Sequence, residues 1–303
     1  MIAEHRLVHE VQTPDGWVPR PDLEPLGPSP FSPDHELAMA EEHRRAGGEV
    51  LPFQPLSFRD FMVFEQHTID ASRGLVRRFH PAQHAAATSI ERLLRRPFPA
   101  FRPHRLFHEQ PMYYMSNHVT FLPSGTPVAA PSYSDALDFE LELGFVLAAP
   151  LRDASEQEAE AAIGAYVVLN DLSARDVQRT EMASGFGPQK SKHFASSISQ
   201  EAVTPDEVDV AALTGSVAVN GIEISTVETT GMRWSPAQML AHASRSETLR
   251  PGELFATGTL PGGSGMELGY WMQPGDRITL TLDGIGSVVH DVREGRAEVS
   301  AVP

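Results

Sequence analysis

The stretch at residues 137–146, LDFELELGFV, restricts the fold more than any other part of the chain. In an extended strand successive side chains point to opposite faces. Phe139, Leu141, Leu143 and Phe145 therefore share one face, and Asp138, Glu140, Glu142 and Gly144 share the other. The apolar face demands a core, while three carboxylates spaced two residues apart repel one another. If the second face is also shielded from water, ionising all three is costly, and a divalent cation would relieve the conflict. A solvated edge of an antiparallel sheet is the alternative, since acidic residues are common there. The strand by itself leaves both readings open.

Composition narrows what surrounds it. At 303 residues and 41% apolar content, the chain can bury one substantial core, as expected of a soluble globular protein. Forty Asp plus Glu against 24 Lys plus Arg leave a formal charge of −16, which opposes binding to nucleic acid or to an anionic membrane surface. The chain has no cysteine, so thiolate nucleophiles, disulfides and zinc–thiolate or iron–sulfur sites are excluded, and any metal must be held by oxygen or imidazole. No apolar run reaches signal-peptide or membrane-span length, which makes a cytoplasmic location the expectation.

Along the chain, prolines at 14, 19, 21, 25, 28, 30 and 33 predict an extended, unpaired segment, followed by a short helix over 34–45. Residues 1–55 read as a proline-rich appendage with too few apolar positions for a core of their own, and 56–303 as the main domain. His5 and His9 within the appendage stand at helical spacing. The segment from Phe58 predicts a turn at Asp60 leading into a helix, with Asp60 near its N-terminus and His67 two turns on along the same face. A second helix is expected over 81–96, with strands over 111–115 and 118–122. Ser155 with Glu158 forms a capping box that opens a helix, and a strand over 165–169 delivers Asn170 and Asp171 at its carboxyl end, where side chains are aimed at ligands. Residues 187–197 form a polar loop carrying Lys190 and Lys192. Two hairpins are expected around Asn220-Gly221 and Asp283-Gly284, both in primed turns, with a capped helix at Ser235 between them. The glycine-rich run at 258–268 lacks both the phosphate-loop ending and a Gly-x-Ser-x-Gly frame, which excludes nucleotide binding and a serine-hydrolase elbow. These elements predict an α/β (α+β) protein with a mixed, rolled β-sheet core and peripheral helices.

Taken together, Asp60 with His67, Glu140-x-Glu142, NDLSARDVQ at 170–178, Lys192, Gly258-Thr259 and Glu267 resemble the fumarylacetoacetate hydrolase family over residues 58–292. The resemblance implies the fold of that family's C-terminal catalytic domain and a homodimer. It implies Asp60, Glu140, Glu142 and Asp171 as ligands for Mg2+ or Ca2+, with Mn2+ also suited to such oxygen donors. It further implies His67 as general base, Glu267 as the carboxylate orienting it, and Arg175 and Lys192 as catalytic cations. Tyr114, Gln178 and Thr259 then correspond to substrate contacts, and Ser196 aligns near a further metal contact. The expected reaction is metal-dependent hydrolysis of a carbon–carbon bond in a β-diketo or acylpyruvate-like acid. Isomerisation, hydration or decarboxylation of 2-oxo and enol acids is the alternative on the same scaffold, and a non-catalytic cation-binding protein is the remote one. Met62 and Met182 stand where fumarylacetoacetase has tyrosines, and Ser191 where glycine is usual, which points to a different substrate.

Overall fold

The computed structural model describes residues 50–295, together with the backbone of the short strands Ile2–Ala3, Arg6–Leu7, Glu10–Thr13 and Gly16–Pro19. Of the proline-rich segment, only Gly16–Pro19 is described. It pairs as an antiparallel ladder with Glu10–Thr13 instead of running unpaired, with Pro19 at the strand end, where a missing N–H disrupts the ladder least. The His5/His9 pair and the helix expected over 34–45 lie outside the described residues.

From residue 57 on, the described chain begins with β1 (Ser57–Phe61), β2 (Tyr113–Ser116), β3 (Phe121–Pro123), β4 (Val128–Ala129), β5 (Leu137–Asp138) and β6 (Glu140–Leu147). It continues with β7 (Ile163–Asn170), β8 (Ser173–Ala174), β9 (Ser196–Ile198), β10 (Thr214–Val219) and β11 (Ile222–Glu228). The last strands are β12 (Glu253–Ser264), β13 (Arg277–Leu282) and β14 (Gly286–Arg293). A seven-stranded sheet runs β2-β1-β12-β6-β7-β9-β3, and a five-stranded sheet runs β11-β10-β13-β14-β4. Three pairs are parallel, β12 with β1, β9 with β3 and β14 with β4, so the sheets are mixed. Helices α1 (Glu65–Phe79), α2 (Pro81–Leu94), α3 (Glu156–Ala161), α4 (Arg175–Ala183), α5 (Pro236–Ala243) and α6 (Gly265–Leu268) complete the α+β architecture. None of the described helices is long and apolar enough to cross a membrane.

β6 is paired on both sides and every one of its residues is buried, so the acidic face is no solvated edge. Its apolar side chains Leu141, Leu143 and Phe145 join Val217, Leu280 and Val288 of the five-stranded sheet in one core. The other face of the large sheet carries a smaller cluster that includes Phe58, Leu169 and Leu254. By strand alternation this face continues into the carboxylates, because Asp60 follows Phe58 and Asp171 follows Leu169 at two-residue steps. One sheet face therefore turns from greasy to anionic along its length.

Several expectations need correction. Asp60 does not cap a helix; it lies within β1, hydrogen-bonded between β12 and β2, and α1 starts only at Glu65 after an N-cap residue, Phe64, that makes no side-chain cap. Sheet pairing on both sides overrides the turn tendency of the sequence around Asp60. The hairpin at Asn220-Gly221 has both residues at positive φ (52° and 78°), as a type I′ turn requires. The second hairpin instead leaves Asp283, Gly284 and Ile285 between its strands, and of these only Gly284 has positive φ, so it is a three-residue connection. The capping boxes at Ser155 and Ser235 are present as expected.

Candidate active site

The anionic end of the large sheet opens into a cavity of about 560 Å3. Each element brings one or two groups to it: β1 Asp60, β2 Tyr114, β6 Glu140 and Glu142, and β12 Thr259. β12 slips register twice against β6 here, pairing Glu140 with Ser264 and Glu142 with Thr259. Such bulges re-aim side chains next to sites. Gly258 makes the local path possible: its φ is +78°, and a Cβ there would lie 2.3 Å from the Phe61 carbonyl oxygen.

Asp60, Glu142 and Asp171 converge so that one carboxylate oxygen from each lies within 4.8 Å of the others, and all three residues are buried. Asp60 Oδ1 and Glu142 Oε2 have no hydrogen-bond partner among the described residues. Burial pushes the Asp60 carboxyl well above the usual range, with Asp171 and Glu140 adding repulsion that Lys192 only partly offsets. Glu142 is pushed up in the same way, by burial first and then by Asp60 and Asp171. Leaving such oxygens unpaired costs about 1–3 kcal/mol each, more when charged. The donor set fits a hard divalent cation, since it is all oxygen, anionic, convergent and partly unsatisfied.

Glu140 differs from the other three. Its Oε1 accepts from Arg175 Nη2 at 2.7 Å, and its Oε2 is held by the Lys192 ammonium. Burial opposes its ionisation, but Arg175 and Lys192 outweigh burial and hold its carboxyl far below the ordinary range. Lys192 also reaches Asp171 Oδ2 at 2.5 Å, and Asp171 and Glu140 keep its ammonium charged despite burial. Tyr114 donates to Asp171 Oδ2 at 2.8 Å, while Ser196 Oγ donates to Asp171 Oδ1 at 3.1 Å. Burial and the surrounding carboxylates push the Tyr114 phenol well up, so it stays neutral and donates. Thr259 Oγ1 donates to Glu142 Oε1 at 3.3 Å, and Arg175 Nη1 donates to Gln178 Oε1 at 2.9 Å.

His67, in the first turn of α1, lines the same cavity, with Nδ1 3.1 Å from Glu267 Oε2 and Nε2 3.9 Å from Glu140 Oε1. Burial alone would lower its pKa, but the facing carboxylates of Glu267 and Glu140 outweigh burial and raise it. Glu267 is held by its own helix end. Its carboxylate accepts from Ser264 N at 3.2 Å, Ser264 Oγ at 2.8 Å and Gly262 N at 3.2 Å, which closes a capping box with Ser264. A carboxylate fixed in this way faces Nδ1 as a charge partner and favours a proton there, although the two make no well-aligned hydrogen bond.

All the site residues expected from the sequence meet around this cavity, with Asp171, Ser196 and Glu267 just behind its wall. Lys190 does not: its ammonium packs over the Tyr133 ring at 5.5 Å. Asp138 has a role that its place on the acidic face only hinted at. Fully buried, it accepts from Arg175 Nε at 2.8 Å and from Met266 N at 3.1 Å, tying the arginine to the start of α6. Ser191 is also explained. Its hydroxyl donates to Glu181 Oε2 at 2.6 Å, and the same carboxylate takes the amides of Gln189, Lys190 and Ser191, which fastens the loop that delivers Lys192.

Residues 82–293 match the model of the fumarylacetoacetate (FAA) hydrolase C-terminal family. A 2,4-didehydro-3-deoxy-L-rhamnonate hydrolase of a Sphingomonas strain is 32% identical over 62% of this chain, and the match spans 66% of that protein, just under two thirds of its length. An oxaloacetate tautomerase of Escherichia coli is 31% identical over 58% of this chain and 79% of its own. Among solved structures, a fumarylpyruvate hydrolase of Pseudomonas aeruginosa in complex with Mn2+ and pyruvate superposes with a TM-score of 0.59. That likeness covers 80% of this chain and 97% of the other at 21% identity, and shows a shared fold.

Proposed function

The chain belongs to the fumarylacetoacetate hydrolase family, and from that premise we propose that it is a divalent-metal-dependent hydrolase of a 2,4-dioxo acid, an acylpyruvate or a close analogue. The observation that carries this reading is the imidazole of His67, with Nδ1 3.1 Å from the Glu267 carboxylate and Nε2 turned toward the carboxylate cavity. Tautomerisation by itself needs no attacking water, whereas hydrolysis needs a base placed to make one.

Asp60, Glu142 and Asp171 would hold the cation, with Glu140 beside them. Oxygen donors of this kind suit Mg2+, Mn2+ or Ca2+, and the Mn2+ of the Pseudomonas relative makes Mn2+ the first ion to test. When bound, the cation supplies Lewis-acid polarisation of the chelating 2-oxo acid end. His67 Nε2 takes a proton from water, and the hydroxyl adds to the distal ketone carbon. The bond from that carbon to the methylene then breaks, its electron pair goes to the pyruvate fragment, and His67 can return its proton there. Acylpyruvate plus water thus becomes a carboxylic acid plus pyruvate. Arg175 and Lys192, dry and pinned by their carboxylate partners, favour negative charge at the reacting carbons without reorganising.

The Escherichia coli relative supports a second reading, in which the same base moves a proton between carbon and enol oxygen. Product analysis separates the two. Acetylpyruvate incubated with protein and Mn2+ is expected to yield acetate and pyruvate, EDTA to stop the reaction, and His67→Ala to lower kcat by at least a hundredfold. Exchange of the methylene protons without cleavage assigns tautomerisation instead, and full cleavage by His67→Ala removes His67 as the base.

A further inference from the structure

Apart from the reactive groups and Arg179 at the mouth, no charged residue among those described lines the cavity, and much of the rest of its lining is apolar. Met62, Leu75, Met112, Tyr113, Met182 and Met266 line it. Met62 and Met182 are 37% and 50% exposed, so at these two positions thioethers meet whatever enters, and Met62 Sδ is tethered by Thr68 Oγ1 at 3.2 Å. Methionine walls accommodate varied apolar shapes because the side chain is unbranched and polarisable.

The buried cations of the cavity are already committed. Arg175 is engaged by Asp138, Glu140 and Gln178, and Lys192 by Glu140 and Asp171. At the mouth, Arg179 stacks over Phe79 at 5.3 Å, and its Nη1 lies 3.2 Å from His80 Nε2. Within and beside the cavity, the carboxyl groups of Asp60, Asp138, Glu140, Glu142, Asp171 and Glu267 outnumber the two buried cations. A second carboxylate on the substrate would meet those carboxylates with only the solvent-exposed Arg179 as a positive partner among the described residues, where an ion pair gains little, and would lose its hydration against sulfur and carbon.

We infer that the substrate carries one carboxylate only, at its 2-oxo acid end, and that its other end is an uncharged apolar chain or ring seated against the methionine wall. This rests on the reading of the site as one for 2-oxo acids and adds the class of acyl group that it accepts. Diacids such as fumarylpyruvate are then poor substrates, and affinity rises with chain length until the wall is covered, by about fourfold per methylene.

The test reads binding separately from turnover. Calorimetry with saturating Mn2+ is expected to give a Kd for 2-oxooctanoate at least tenfold below that for 2-oxooctanedioate, which has the same length and a second carboxylate. Met182→Lys, which places a cation on the wall at a half-exposed position, is expected to shrink or reverse that ratio. Equal affinity for the two acids, including no binding of either, overturns the inference. Tighter binding of the diacid does so as well, and its loss in Arg179→Met would assign the second carboxylate to Arg179. If 2-oxooctanoate binds more tightly but hexanoylpyruvate is not cleaved, the hydrolytic reaction fails and the apolar-tail inference stands.

Discussion

Replacing Gly74 by alanine puts a methyl group into the seam that joins the histidine helix to the glutamate helix. The Cβ would lie 2.1 Å from the Met266 carbonyl oxygen, against the 3.4 Å where ordinary contact begins, so α1 and α6 must part by about 1.3 Å. Arg77, on the same side of α1, donates to the carbonyls of Met266 and Glu267 at 3.2 Å and resists that parting. Helix propensity favours alanine over glycine by about 1 kcal/mol. Overlap with a backbone oxygen costs roughly 1–3 kcal/mol, so the variant is expected to be less stable in balance. The larger effect is on geometry. His67 precedes Gly74 by two helical turns and Glu267 adjoins Met266, so a rigid shift carries the 3.1 Å contact between Nδ1 and Oε2 toward 4 Å. A displacement near 1 Å in a catalytic pair costs on the order of a hundredfold in rate. The assay is kcat for acylpyruvate cleavage alongside calorimetric Mn2+ binding, which the strand-borne carboxylates are expected to retain. A folded Gly74→Ala protein with unchanged kcat would refute the claim that this seam sets the His67–Glu267 pair.

Other perturbations address separate parts of the account. Glu142→Gln removes a negative donor whose Oε2 is unpaired, and Mn2+ affinity by calorimetry is expected to fall at least tenfold; an unchanged titration takes Glu142 out of the ligand set. Glu181→Ala removes the acceptor for the amides of Gln189, Lys190 and Ser191, so hydrogen exchange there is expected to accelerate by tenfold or more, while unaltered protection shows that the loop holds without it. His290, with Nδ1 2.6 Å from the Thr126 carbonyl oxygen, is pushed down to about 4 from an ordinary 6.5, chiefly by burial. Since the unfolded chain binds the proton more readily, this stability is full above pH 6.5 and is lost as pH falls toward 4, by about 3 kcal/mol in all. His290→Gln is therefore expected to flatten the decline of the urea midpoint between pH 7 and 5, and an unchanged slope would mean that His290 does not control it.

How far the fold and site could be read in advance follows from where each signal resides. The period-two alternation of residues 137–146 is local and strong, and it identified β6 as a core strand with a troubled acidic face. Asp171 was legible because it directly follows an apolar strand, and the boxes at Ser155 and Ser235 because their partners lie three residues on. The Ser264–Glu267 box has the same spacing, but the neighbouring glycines mask it as a loop, although it is what fixes the His67 partner. Asp60 was misplaced because SFRDF has too few residues to show a period, and its strand character comes from Ala256 and Tyr114 on either side. Spacing likewise could not distinguish Glu140 from Glu142. That difference arises only when Arg175 and Lys192, more than thirty residues away in the chain, fold back onto Glu140 and not onto Glu142.

The central claim is that carboxylates from separate strands hold one hard cation beside a braced imidazole. Anomalous scattering from a crystal grown with Mn2+ and pyruvate tests it most directly. The account predicts one strong peak within about 2.5 Å of oxygens from Asp60, Glu142 and Asp171, with pyruvate oxygens completing the shell and His67 facing it. No peak among those carboxylates, or a peak elsewhere with His67 turned away, would contradict it.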